Sequence, residues 1–189
     1  KPGAPKWETN DILHVTPGTN FPALVNAGLD QLVARPAPAM KPDEFAQWIE
    51  KNRTRLKDKL NCRLGWMTRV HPFVLDGKRL ILPLYSDGFD FCLMAISDDW
   101  GQSWFTSTPL VGLVNSQPSL IQKQNGTLVA YMRDDGPPPQ RIPISESTDR
   151  GETWSQVVDS DRPDSGAGVE IIALRSGRWL LINNDLEEG

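Results

Sequence analysis

The chain has 189 residues, with 20 lysines and arginines against 24 aspartates and glutamates, for a formal net charge of -4 at pH 7. That balance contains no run of like charge and no basic patch, which sets aside a nucleic-acid surface. No apolar stretch approaches the roughly 20 residues that span a bilayer.

Seven tryptophans, 16 prolines and 15 glycines favour many short strands over helices. The opening Lys1-Pro2-Gly3-Ala4-Pro5 does not read as a secretory leader, which says little about compartment. Residues 1–64 are expected to be irregular apart from one amphipathic helix, from about Pro42 to Leu60. Pro36, Pro38 and Pro42 precede Asp43-Glu44-Phe45, and Phe45, Trp48, Ile49, Leu56 and Leu60 fall at helical spacing, with acids early and basic residues late. The stripe reads as a packing face. Cys62 and Cys92 belong to no CxxC pattern and read as buried thiols, a disulfide being the alternative. His14 and His71 share no metal spacing; His71 reads as structural, and no metal or other cofactor is expected.

From about residue 65 the chain repeats. Ser97-Asp98-Asp99-Trp100-Gly101-Gln102-Ser103-Trp104 and Ser147-Thr148-Asp149-Arg150-Gly151-Glu152-Thr153-Trp154 both fit S-x-D-x-G-x-x-W, 147 − 97 = 50 positions apart. Ser and Asp oxygens can bond nearby backbone N–H groups, Gly can take a positive φ, and Trp can fold back over the turn. A hairpin precedes each box, with turns at Asp76-Gly77 and Asn125-Gly126, and a third hairpin turn in the same step follows at Ser176-Gly177. A period near fifty indicates a propeller or another array.

Each unit reads as four antiparallel strands. In the second these run about 119–123, 127–133, 141–147 and 154–158. The segments 80–82, 128–132 and 179–182 are apolar on both faces, as expected of strands sandwiched near a propeller axis. The reading is an all-β, six-bladed sialidase-type propeller present as about two and a half blades, at about 66–110, 111–160 and an incomplete 161–189. Such a fragment exposes the apolar edges of its end blades, so it is expected to associate with itself or with the remainder of the propeller.

The two boxes, the period and the hairpins resemble the Asp-box sialidase superfamily, particularly bacterial sialidase-like proteins. Gly65-Trp66-Met67-Thr68-Arg69, Leu84-Tyr85-Ser86-Asp87-Gly88 and Tyr131-Met132-Arg133-Asp134 also look like that subgroup. The resemblance implies an exo-glycosidase in which arginines grip a sugar carboxylate while an Asp acid and a Glu-assisted Tyr nucleophile cleave the bond, and it favours a secreted or periplasmic setting. Asp boxes themselves are structural in that superfamily, and a literal Arg141-Ile142-Pro143 match falls inside a third strand and reads as coincidence.

Because connections alternate between the two ends of an up-and-down blade, the Gly turns and boxes share one face and the remaining loops share the other. That second face receives Tyr85, Asp87 and Asp90; Arg133, Asp134 and Asp135; Asn183, Asn184, Asp185 and Glu188; and, from the starts of inner strands, Arg69, His71, Asn115, Gln117 and Glu170. Arg69 and Arg133 are the expected anion-binding groups, Asp87 or Asp134 the acid, Glu170 a base or polariser and Tyr85 the tyrosine at a loop mouth. Gln117 and Asn183 complete the substrate-binding set. The leading function is a sialidase-like exo-glycoside hydrolase of terminal acidic sugars, inactive as this fragment alone. The alternatives are a non-catalytic carbohydrate-binding propeller, or an enzyme for another acidic sugar such as a uronate.

Overall fold

The structure, a computed structural model, describes residues 12–35 and 40–186 and the single positions 3, 6 and 10, so Pro36, Pro38 and Glu188 lie outside the described residues. Strands β1 (Phe73–Leu75), β2 (Arg79–Ser86), β3 (Phe91–Ser97) and β4 (Phe105–Thr106) form one antiparallel sheet in chain order. Strands β5 (Asn115–Gln122), β6 (Leu128–Asp134), β7 (Arg141–Ser147) and β8 (Val158–Pro163) form a second, and β9 (Glu170–Ala173) with β10 (Trp179–Ile182) a third. The β5 strand packs on β2 and β3 on one side and on β9 on the other. Two four-stranded blades and the inner half of a third thus stand side by side around a common edge, a partial β-propeller.

The repeated corners form for local reasons. In the first box the Ser97 hydroxyl accepts from Gly101 N at 2.7 Å and donates to Asp99 Oδ1 at 2.8 Å; Asp99 Oδ1 also accepts from Ser103 N, and Trp104 Nε1 donates to Gly101 O at 3.0 Å. The second box repeats this set, with Gly151 N to Ser147 Oγ at 2.9 Å and Trp154 Nε1 to Gly151 O at 3.0 Å. Gly101 and Gly151 have φ of 90 and 92°, where a side chain would be strained. Hydrogen bonding from Ser103 holds Asp99 down to about 2.

Three features differ from the sequence reading. The fourth strand of the second blade is Val158–Pro163 rather than 154–158, because the box keeps residues through Trp154 in its own hydrogen-bonded turn. Its first strand begins at Asn115, four residues earlier than expected. The strand buried along its whole length is β3, whereas β10 is open: Trp179, Leu180 and Ile182 are exposed, since no third strand covers β10 among the described residues.

Helix α1 (Phe21–Val33) was not anticipated, α2 spans Pro42–Arg55 and stops short of Leu60, and a short α3 (Lys59–Arg63) follows. Phe21, Val25, Leu29 and Leu32 form the buried stripe of α1. Its Gly28 lets it lie close to Val111, whose Cβ would be 2.7 Å from an added methyl. These residues join Trp48, Ile49, Leu84, Phe89, Phe91 and Leu93 in one core between the helices and the first sheet. A second core, with Ile81, Met94, Leu128 and Met132, fills the space between the two complete blades. Cys62 and Cys92 are both free and buried, and burial raises both thiols.

Candidate functional site

One end of the blades is held by charge pairs between the repeated corners. Arg79, at the start of β2, donates from Nε and Nη2 to both oxygens of Asp98 in the first box, at 2.7 and 2.8 Å, and from Nη1 to Glu152 Oε1 and Arg150 O in the second. Arg150 reaches back to Asp76 in the β1–β2 turn at 2.5 Å. Turns and boxes therefore share one face, and Arg79, nearly buried and over the Phe105 ring, bridges two blades there.

The opposite face gathers most of the sequence-derived candidates into two neighbouring groups. In the first, Arg69 and His71 lead into β1, and Glu170 opens β9, two blades away. Arg69 lays its guanidinium against Gly168, where an added Cβ would sit 2.3 Å from Cζ, and donates to Val169 O at 3.4 Å. Arg69 is exposed and has no acidic partner among the described residues. Glu170 Oε1 accepts from the Ser119 hydroxyl at 2.8 Å and lies 3.7 Å from His71 Nδ1.

The second group stands at the β6–β7 loop. Asp134 is buried; its Oδ1 accepts from Gly136 N at 2.7 Å and its Oδ2 from Arg141 N at 3.1 Å, and burial pushes it up to about 6. Its own N–H donates to Asp164 Oδ2 at 2.7 Å, and Gln140 Nε2 bridges Asp134 O and Gly136 O. Asp134 is therefore a strut of that loop. Asp135, next to it, pairs with Arg133 Nε at 2.6 Å, a contact that lacks hydrogen-bond alignment, and accepts from the Ser116 hydroxyl. Burial raises Asp135 and Asp164, against Ser116 in the first case and the Asp134 N–H in the second. Asp87 lies close enough to add to the negative field at Asp135.

The other candidates are placed differently. Asp90 is committed to helix α2, accepting from Trp48 Nε1 at 3.0 Å and Lys51 Nζ at 2.8 Å. Tyr85 is half-buried against the second core and bridges to Met67 through two backbone bonds of 2.9 Å. Asn183 donates to Pro163 O at 3.1 Å and lines a groove of about 710 Å³ between the second and third sheets, with Tyr131, Trp179 and Leu181. Asn115 opens β5, but its side chain is buried in the core, donating to Leu110 O. Gln117 sits in a bulge of β5 with φ of 49°. The sequence reading passed over Asp164, Gln140, Ser116 and Ser119. Only their polarity in otherwise apolar or loop segments could have marked them. Among the described residues no cluster of three or more His, Cys, Asp or Glu side chains could hold a metal ion, and no helix is long and apolar enough to cross a membrane.

Antiparallel four-stranded blades closed by Asp boxes, with acids and arginines collected at the other end, define an Asp-box propeller. Residues 40–189 match the BNR repeat-like domain, and the chain belongs to that sialidase-like family. No curated protein matches it.

Solved structures share the fold. A protein of unknown function from Dyadobacter fermentans is 21% identical over 63% of this chain and 34% of its own, at a TM-score of 0.55. A Hadza microbial sialidase is 15% identical over 70% and 29%, at 0.53. A GH43 β-1,3-galactosidase with galactodeoxynojirimycin is 16% identical over 88% and 50%, at 0.56. The chain spans half or less of the length of each.

Proposed function

We propose that this chain supplies one side of a glycan-binding funnel in a sialidase-like exo-glycoside hydrolase that acts on terminal acidic sugars. The observation that supports the reading is that three successive blades each bring charge to the face opposite the boxes, Arg69 from the first, the Arg133–Asp135 pair from the second and Glu170 from the third. Arg69 is the anion grip: it is exposed, held flat on Gly168, and its planar fork suits a carboxylate. Arg133 contributes to the same field from beside Asp135.

Asp135 is a better proton donor than Asp87 or Asp134. Asp134 is buried with both oxygens on backbone N–H groups, and Asp87 stands on the β2–β3 turn, whereas Asp135, held by Ser116 and Arg133, keeps 29% of its side chain exposed to a ligand and is raised by burial. In this mechanism Asp135 protonates the glycosidic oxygen as the bond to the sugar breaks, and Glu170 accepts the proton of the attacking hydroxyl. Within this chain Tyr85, one residue from the end of β2, is the candidate for that hydroxyl. Gln117 and Asn183 are kept as sugar-hydroxyl partners.

The test is turnover of fluorogenic sialosides by the full-length protein. Arg69→Ala is expected to lower kcat/KM about a hundredfold and Glu170→Gln at least as much. Gly168→Ala, which displaces Arg69 without removing it, should reproduce part of the first loss. Rates equal to the parent protein in all three would remove these residues from the mechanism. Glycan binding without turnover would favour a carbohydrate-binding propeller, and turnover of uronides alone another acidic sugar.

A further inference from the structure

In β5 the ladder to β6 slips. Ser116 lies opposite Arg133 and Ser119 opposite Tyr131, so three steps along β5 match two along β6, and the extra residue sits between the two serines. Gln117 absorbs the bulge with φ of 49°, a left-handed conformation that a residue with a side chain adopts at a cost. Strand residues three apart ordinarily face opposite sides of a sheet. The added residue restores the phase, so that Ser116 and Ser119 share the side of Arg133 and Tyr131.

Each of these serines donates to one acid of the proposed site. Ser116 Oγ donates to Asp135 Oδ2, and Ser119 Oγ to Glu170 Oε1 at 2.8 Å. The Ser119 hydroxyl is further constrained because it accepts the Ile171 N–H at 3.1 Å, which leaves its proton for Glu170. Both serines are buried, at 5% and 1% exposure, so neither hydroxyl is a general surface donor.

We infer that the bulged segment 116–119 is a positioning cradle. It fixes the proposed acid and the proposed base by one carboxylate oxygen each and holds them at a set separation on adjacent blades. His71, 3.7 Å from Glu170 Oε1, closes the same oxygen from the first blade. The strain at Gln117 is the cost of bringing both serines to one side. This rests on the reading of Asp135 and Glu170 given above. Ser116 and Ser119 are positioning residues and touch no substrate.

The experiment is a set of variants of the full-length protein assayed on a fluorogenic sialoside. Ser116→Ala and Ser119→Ala are each expected to lower kcat about tenfold with KM within about twofold. Ser119→Thr, which keeps the hydroxyl, should recover most of the loss. Because the Ser116 hydroxyl holds Asp135 down against burial, Ser116→Ala should also move the Asp135 limb of the pH–rate profile to higher pH. A structural role alone would lower stability and leave that limb in place.

Deleting Gln117 should abolish turnover in a folded protein, whereas Gln117→Gly, which relieves the backbone, should not. Two outcomes are distinguishable as failures. If Asp135→Asn and Glu170→Gln keep the parent rate, the site itself is misread and the cradle falls with it. If those two lose activity while both serine variants keep the parent kcat and pH profile, the site stands and the cradle alone is overturned.

Discussion

The two ends of the blades solve opposite problems with the same residue types. At the box end the charges that join the blades meet partners: Arg79 is paired with Asp98 and Glu152, Arg150 with Asp76, and Asp99 is held ionised by its own turn. At the other end Arg69 has no acidic partner among the described residues, three neighbouring aspartates are raised by burial, and Gln117 is strained. Paired charge holds blades together, and unpaired or raised charge is what a ligand can use.

The contrast is sharpened by substitutions on each side. Arg79→Ala removes a nearly buried bridge between blades and its packing on Phe105, and is expected to cost about 3 kcal/mol in chemical denaturation, whereas Arg69→Ala changes stability by less than about 0.5 kcal/mol. A large cost at Arg69 would break the contrast.

Asp134 gives the next effect, and its sign is opposite to that of an ordinary ion-paired carboxylate. Its folded value, about 6, lies above the ordinary carboxylate value of 3.8, so its stabilisation is full below about pH 4 and is lost as pH rises through about 6. The stability of the parent protein relative to Asp134→Asn should fall by on the order of 2 kcal/mol between pH 4.5 and pH 7. A difference independent of pH would mean that Asp134 is not buried as described.

Ser147→Ala removes one donor and one acceptor from a box and should cost about 1 kcal/mol. Lys123→Ala breaks a 2.6 Å but largely solvated pair with Glu146, and should stay within about 0.5 kcal/mol.

How much of this was legible follows from the range of the forces. The boxes and Gly turns are closed by hydrogen bonds spanning two to four residues, so residue types at fixed offsets suffice to announce them. Helix α1 carried a readable stripe at Phe21, Val25, Leu29 and Leu32, but Pro22, Asn26 and Gly28 weaken its local propensity, and packing on the first sheet decides it.

The site was half legible. Counting strands placed Arg69, Arg133, Asp134 and Glu170 at one end. It could not reveal that Asp134 is a strut, because its fixing partner Asp164 is thirty residues away. Nor could it show the bulge, since register is decided by pairing between strands and not within one.

The central claim is that the end bearing Arg69 and Glu170 does the chemistry while the end bearing the boxes holds the blades. Turnover and melting temperature of the full-length protein carrying Arg69→Ala or Ser147→Ala test it side by side. The first should lose about a hundredfold in kcat/KM with its melting temperature unchanged. The second should melt about 1 to 3 degrees lower yet turn over normally per folded molecule. The reverse pattern, or an Arg69 variant with the parent rate, would contradict the account.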